Sequence, residues 1–180
     1  MKRTIVSALV FLTLFPVIGT GEQKNSQALE VVDNVKLNKY IGLWYEIARI
    51  PNRFQKSCAR KVTAKYELRE DGRLNVINKC VKENGKTSRV KGIAKIVDPQ
   101  TNAKLKVSFV QIFGFSLFWG DYWIIALDEN YEYAVVGHPK RKYGWILSRS
   151  PELSDSTLRN IFKIIEKKGY DSDRFKLTEQ

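Results

Sequence analysis

The 180-residue sequence contains a single histidine, His138, and only two cysteines, Cys58 and Cys80. Zinc sites are built from closely spaced Cys or His pairs, and no such pair occurs here. A Ser-His-Asp triad cannot be assembled either, because His138 falls in a predicted turn without a paired base and is expected at the surface. We therefore expect no metal, no cofactor and no enzyme active site.

Long apolar runs are also scarce. The one such run, from Ile5 to Ile18, follows Lys2 and Arg3 and precedes small residues, which is typical of a signal peptide over residues 1–21. No second apolar run of about 20 residues follows, so a later transmembrane helix is not expected. Neither cysteine lies near the cleavage site. The sequence therefore predicts an exported protein without a lipid-modified lipobox cysteine.

Acidic residues are few relative to basic ones. The chain has 31 Lys and Arg against 19 Asp and Glu, which gives a net charge of +12. Such a surface attracts either nucleic acid or anionic lipid, and an exported protein rarely meets nucleic acid. We expect peripheral contact with an anionic membrane surface and no nucleic-acid partner. The alternative is that the charge only keeps the surface solvated.

Alternation of apolar and polar residues predicts strands through most of the chain. Asp71-Gly72 separates two alternating runs and is the strongest hairpin signal, and Asn84-Gly85 marks a second turn. One helix is predicted over Asp155–Lys168, with Ser154 as its N-cap. About eight consecutive strands and one amphipathic helix indicate an all-β fold. We expect an eight-stranded antiparallel up-and-down β-barrel with one C-terminal α-helix packed outside.

Several motifs carry a resemblance to a known family. Gly42-Leu43-Trp44, the stretch from Asp121 to Tyr131, and Ile146-Leu147-Ser148-Arg149 resemble the three signature regions of the lipocalins. Arg53-Phe54 and the stretch from Leu74 to Asn78 resemble bacterial lipocalins, relatives of apolipoprotein D. The resemblance covers residues 38–178. We divide the chain into a signal peptide (1–21), a polar lead-in (22–37) and a lipocalin domain (38–180).

The resemblance implies structural roles for Gly42, Trp44 and Arg149: the Trp plugs the closed end of the barrel and the Arg stacks over it. It also implies a periplasmic carrier of fatty acids, lysophospholipids or similar single-chain amphiphiles, with a role in envelope lipid maintenance. Many bacterial relatives carry a lipobox cysteine that this sequence lacks. Peripheral association with the outer membrane is therefore expected. The protein is expected to be a monomer or a weak homodimer.

Two other functions remain open at this point. A lipocalin can bind a pigment or haem instead of a lipid, and some lipocalins are thiol-dependent enzymes. The enzyme alternative requires a free Cys80. An exported protein with two cysteines is expected to form a Cys58–Cys80 disulfide, which would remove that nucleophile.

Trp44 and Arg149 fix which residues face the barrel interior, because alternate side chains of a strand share a face. Counting by twos from Trp44 places Ala48 inside as well, and the resemblance implies that Tyr122, Ile124, Ala126, Ala134 and Val136 also face the interior. The lining is apolar and aromatic, which suits an acyl chain. The alternative for each lining residue is that it only packs in the core. For Glu46 the alternative is that it holds Arg149 or a tyrosine in place and does not contact a ligand. The predicted ligand-binding residues are Glu46, Ala64, Tyr66, Val76, Asn78, Val107, Phe109, Tyr122, Ile124, Val136, Tyr143, Trp145 and Leu147.

The first strand runs away from the Trp44 plug, so the open end of the barrel is expected near Pro51. Four connections then surround it: 51–61, 82–88, 110–120 and 137–142. They hold much of the basic surplus and an apolar segment, 112–119, that we predict to be a loop. This loop is a membrane anchor, a lid over the cavity or a dimer contact. The docking candidates are Phe115, Leu117, Phe118 and Trp119.

Overall fold

The computed structural model describes residues 28–180, so the predicted signal peptide lies outside the described residues. Its regular elements follow the chain in a simple order, with short 3-10 turns at Arg53–Gln55 and Ser172–Arg174. The helices and strands are α1 (Leu37–Tyr40), β1 (Gly42–Arg49), β2 (Arg60–Leu68), β3 (Leu74–Val81), β4 (Thr87–Ile96), β5 (Lys104–Ser108), β6 (Val110–Ile112), β7 (Phe115–Leu117), β8 (Gly120–Leu127), β9 (Tyr133–Gly137), β10 (Gly144–Ser148), α2 (Asp155–Lys167) and β11 (Lys176–Leu177).

Eight antiparallel strands form a closed barrel. Each of β1–β4 pairs with the next strand, β5 pairs with β8, and β8, β9 and β10 follow in order. The barrel closes where β10 pairs with β1, with Tyr45 opposite Ser148. The short strand β11 also pairs with β1, with Ala48 opposite Leu177. The predicted up-and-down barrel is confirmed.

Helix α2 packs on the outside of the barrel. Ser154 caps it, because its hydroxyl accepts a hydrogen bond from the backbone N–H of Thr157 at 3.2 Å. Ile161 and Ile165 are fully buried in a second core that includes Ile146 on β10. The apolar face predicted for this helix is therefore the face that docks. No helix among residues 28–180 is long and apolar enough to cross a membrane.

The described part of the polar lead-in is attached to the barrel. The backbone N–H of Val32 donates to the carbonyl of Ile124 at 3.0 Å, and that of Val35 donates to Thr101 at 2.7 Å. Leu29 and Val35 are buried. These contacts stabilise the chain that leads into α1 at the closed end.

Two β-bulges change which residues face inward. The register of β1 against β10 shifts between Glu46 and Ala48, and that of β8 against β9 shifts between Ile124 and Ala126. A bulge inserts one extra residue in a strand, so the alternation of faces reverses beyond it. Ala48 and Ala126 therefore lie in the core under α2 and not inside the barrel. Their predicted inward orientation was wrong.

The apolar segment after β5 is not an irregular loop as predicted. Val110–Ile112 and Phe115–Leu117 pair as a small separate hairpin, with Ile112 opposite Phe115. Its two turn residues, Phe113 and Gly114, both have positive φ, +50° and +82°. Positive φ at both central residues is the pattern of a type I′ turn, which matches the twist of the flanking strands.

Candidate functional site

A stacked Trp–Arg pair closes one end of the barrel. Trp44 is fully buried, and the guanidinium carbon of Arg149 lies 3.8 Å from the centroid of its ring system. The same guanidinium donates hydrogen bonds to the carbonyls of Leu43 at 2.7 Å and Lys39 at 2.6 Å. Gly42 has φ +103°, and a Cβ there would lie 3.2 Å from Arg149 Nη1. The positive φ favours glycine at this position, and a side chain would also be tight against the guanidinium.

Three tyrosine hydroxyls meet above the plug. Tyr122 Oη lies 2.7 Å from Tyr40 Oη and 2.8 Å from Tyr66 Oη. Burial raises the pKa of Tyr66 to about 12 and raises the pKa values of Tyr40 and Tyr122 well above that of a free tyrosine. All three hydroxyls are therefore protonated at neutral pH. They make a polar but uncharged floor for the space above them.

A cavity of about 230 Å³ extends from this floor to the open end of the barrel. Aliphatic and aromatic side chains make most of its wall. Ile124 and Val136 do not line it, because both are fully buried in the packed layer around Trp44. The other predicted ligand-binding residues do line it: Glu46, Ala64, Tyr66, Val76, Asn78, Val107, Phe109, Tyr122, Tyr143, Trp145 and Leu147.

The carboxylate of Glu46 is fully engaged by protein groups. Arg49 Nη1 donates to its Oε1 at 2.5 Å, Thr178 Oγ1 donates to the same oxygen at 2.8 Å, and Gln55 Nε2 donates to Oε2 at 2.6 Å. The predicted partner, Arg149 or a tyrosine, was wrong. The bulge in β1 brings Arg49 to the same side as Glu46. The cavity therefore contains a carboxylate whose charge is already balanced.

Side chains from the connections complete the open end. Phe54 and Gln55 come from the connection after β1, Phe118 from the segment after β7, and His138 from the turn after β9. Gln55 Oε1 accepts a hydrogen bond from Trp145 Nε1 at 2.8 Å, which fixes that indole in the wall. Strand alternation carries no signal for residues in connections, so the sequence did not identify these four as cavity-lining residues, although Phe118 was a docking candidate.

His138, predicted to be a surface residue in a turn, lies in the turn after β9 and is half-buried. Its ring lies edge-on to Tyr143, with centroids 5.4 Å apart, and it lines the cavity mouth. Its Nδ1 accepts a hydrogen bond from the backbone N–H of Lys140 at 3.1 Å. Partial burial lowers the pKa of His138, which favours the neutral ring.

Comparison with known proteins identifies the family. The Lipocalin-like domain family matches residues 35–180. The chain belongs to the lipocalin family. It is 40% identical over 167 residues to the outer membrane lipoprotein Blc of Escherichia coli K12, covering 92% of this chain and 91% of Blc. It is 32% identical over 160 residues to apolipoprotein D of Macaca fascicularis, covering 83% and 79%.

The structure of insecticyanin from the tobacco hornworm Manduca sexta superposes on this lipocalin with a TM-score of 0.68, at 23% identity, covering 84% of each chain. That likeness concerns the fold. The curated relatives place this lipocalin in the group that contains the bacterial Blc proteins and apolipoprotein D. The resemblance predicted from the three signature motifs is confirmed.

One polar atom in the wall of this lipocalin has no partner. Among residues 28–180, Asn78 Oδ1 is the one buried side-chain oxygen or nitrogen without a hydrogen bond. Asn78 lies on β3 opposite Ala64 and lines the cavity. A buried acceptor without a donor is unfavourable by roughly 1–3 kcal/mol. A donor on a bound molecule would satisfy it.

The two cysteines form the predicted disulfide. Cys58, in the connection after β1, is bonded to Cys80 on β3, and no described cysteine is free. The bond fastens the first connection of the open end to the barrel wall. It also occupies the sulfur that a thiol-dependent lipocalin would need. No cluster of His, Cys, Asp and Glu among the described residues is arranged to hold a metal ion.

Proposed function

We propose that this lipocalin carries a single-chain amphiphile, a fatty acid or a lysophospholipid, with the acyl chain in the barrel cavity. The observation that carries the proposal is the chemistry of the cavity. It is closed at the Trp44–Arg149 end, open at the other, and walled mainly by aliphatic and aromatic side chains. Two carboxylates line it, and both are paired: Glu46 with Arg49, and Asp121 with Lys106 at 3.0 Å. An acyl chain gains from such a wall without meeting an unpaired charge.

The size of the cavity favours a slender ligand. Pockets for drug-sized molecules commonly measure about 300–1,000 Å³, and this one is about 230 Å³. A single acyl chain fits a narrow space of this kind better than a haem or another broad planar pigment. The polar head would then remain at the open end, near the half-buried His138.

The site of action is part of the same proposal. The Blc relatives are described as outer membrane lipoproteins. We propose that this lipocalin also acts in the cell envelope, in the periplasm, where it would move single-chain lipids in the course of envelope lipid maintenance. A carrier of this kind is not an enzyme: it binds and releases its ligand unchanged.

Displacement of a fluorescent fatty acid tests the binding proposal. Ala64→Phe places a ring inside the cavity next to Tyr66, on the strand pair β2–β3. Ile77→Phe adds the same ring to the outward face of β3 and is the matched control. We expect Ala64→Phe to weaken binding at least tenfold and Ile77→Phe to leave it unchanged. Equal affinity for both variants would reject the cavity as the binding site.

A further inference from the structure

The open end of the barrel presents an apolar surface to solvent. We call residues 109–119 the mouth hairpin, since β6 and β7 form its two strands. Three of its four phenylalanines are strongly exposed: Phe113 is 96%, Phe118 is 83% and Phe115 is 73% exposed. Trp119, one of the predicted docking residues, is different. It is half-buried, and the ammonium of Lys95 lies 4.4 Å from its ring centroid.

The backbone conformation of the turn in the mouth hairpin does not favour phenylalanine. Phe113 has φ +50°, a left-handed conformation that side chains other than Asn, Asp and Gly rarely adopt. Turns with two positive φ values strongly prefer Asn-Gly, and this one reads Phe-Gly. Phe113 also has almost no burial to gain within the chain. Neither local conformation nor packing therefore accounts for the most exposed aromatic residue in the described structure.

Charge is distributed unevenly along the barrel axis. The four connections at the open end (50–59, 82–86, 109–119 and 138–143) contain seven lysines and arginines and one glutamate. The three strand connections at the closed end (69–73, 97–103 and 128–132) contain two arginines and six acidic residues. The positive end of the molecule is thus the end that carries the mouth hairpin and the cavity entrance.

We propose that the open end docks on an anionic lipid bilayer, with the mouth hairpin inserted between head groups and the basic connections facing lipid phosphates. Apolar side chains gain free energy on entering the bilayer, and basic side chains are attracted to its negative surface. A second copy of the chain is a poorer occupant. In a dimer formed through the open ends of two barrels, the positively charged connections of both copies would face each other, and like charges oppose such a contact.

The tip of the hairpin is not a lid in this structure, because Phe113 and Phe115 do not line the cavity, whereas Phe109 and Phe118 at its base do. Docking places the entrance of the cavity against the membrane. A single-chain lipid would then pass between bilayer and cavity without crossing water. This consequence rests on the proposed function, whereas docking itself needs only the surface of the open end. The two proposals can therefore fail separately.

Vesicle flotation tests docking directly. The full chain is mixed with vesicles of phosphatidylcholine alone, or of phosphatidylcholine with phosphatidylglycerol as the anionic lipid. We expect binding to the anionic vesicles and little to the neutral ones. Phe113→Asn removes the ring and suits the left-handed turn, so it should keep the hairpin folded and weaken vesicle binding about tenfold. Val97→Asn, at an exposed closed-end position, is the matched control and should bind as wild type.

The charge contribution is tested in the same assay. Lys86→Gln and Lys140→Gln remove exposed charges at the open end, and each should weaken binding about fivefold. Lys163→Gln and Lys167→Gln remove exposed charges from α2 and should have little effect. Fatty-acid displacement by Phe113→Asn should equal that of wild type, because Phe113 does not contact the cavity.

Two results would overturn the docking proposal. The first is equal binding of wild-type protein to neutral and anionic vesicles. The second is a Phe113→Asn variant that floats with anionic vesicles as wild type does. If that variant also changes from dimer to monomer in sedimentation, the mouth hairpin is a contact between copies and not a membrane anchor. Retained fatty-acid binding in these cases would leave the carrier function standing.

Discussion

Replacement of Arg149 by methionine should destabilise the barrel without affecting ligand binding. The guanidinium stacks 3.8 Å from the Trp44 ring centroid, a contact that contributes about 0.5–2 kcal/mol. It also donates to backbone carbonyls, including those of Leu43 and Lys39, and charged donors of this kind contribute about 1.5–3 kcal/mol each when buried. Arg149 is partly exposed, so water replaces some of these bonds. We expect a net loss of about 2–4 kcal/mol.

Urea and thermal unfolding measure this loss. For a chain of this length, each kcal/mol lowers the melting temperature by about 2–4 °C, so the shift should be about 5–15 °C. Arg149→Lys keeps the charge but not the planar fork, and should lose about half as much. Fatty-acid affinity should not change, since Arg149 lies outside the cavity lining. A loss below about 0.5 kcal/mol for Arg149→Met would show that the stack does not stabilise the closed end.

Three further predictions concern the wall and the floor of the cavity. Replacing Cys58 and Cys80 by serine removes a disulfide that joins residues separated by 22 positions, and should lower the free energy of unfolding in urea titrations by roughly 3 kcal/mol. An unchanged urea midpoint would show that the disulfide does not stabilise the fold. Burial raises the pKa of Tyr66 to about 12, so the contribution of this tyrosine to the free energy of unfolding is complete below a pH of about 10 and is lost as the pH rises towards 12. Tyr66→Phe should therefore lose less stability than wild type in alkaline solution. The same pH dependence for both proteins would contradict the burial of Tyr66. Glu46→Gln breaks the ion pair with Arg49 and should destabilise the protein by about 1–3 kcal/mol while fatty-acid affinity is retained; lost affinity in a stably folded variant would instead make Glu46 a ligand-contacting residue.

The sequence predicted the barrel well because its signals are local. Asp71-Gly72 and Asn84-Gly85 occupy tight turns between paired strands, and Ser154 caps the helix that was expected. Trp44 and Arg149 meet at the closed end as the family resemblance implied. Each of these features depends on one turn, one cap or one signature motif, so each can be identified without knowledge of the distant contacts.

Two kinds of feature could not be predicted in this way. The bulges that turn Ala48 and Ala126 outward lie within runs that carry apolar residues on both faces, so alternation gives no sign of the extra residue. Phe54, Gln55 and His138 reach the cavity from connections, where side-chain direction depends on tertiary contacts. The site is therefore predicted best along the straight parts of the strands and least well at its open end.

Native mass spectrometry of the protein purified from its source compartment, without added lipid or detergent, tests the central claim most directly. The account predicts one bound molecule per chain with the mass of a fatty acid or a lysophospholipid, released by the cavity-filling variant Ala64→Phe and retained by Ile77→Phe. A bound pigment or haem, or a single-chain lipid retained equally by both variants, would contradict it.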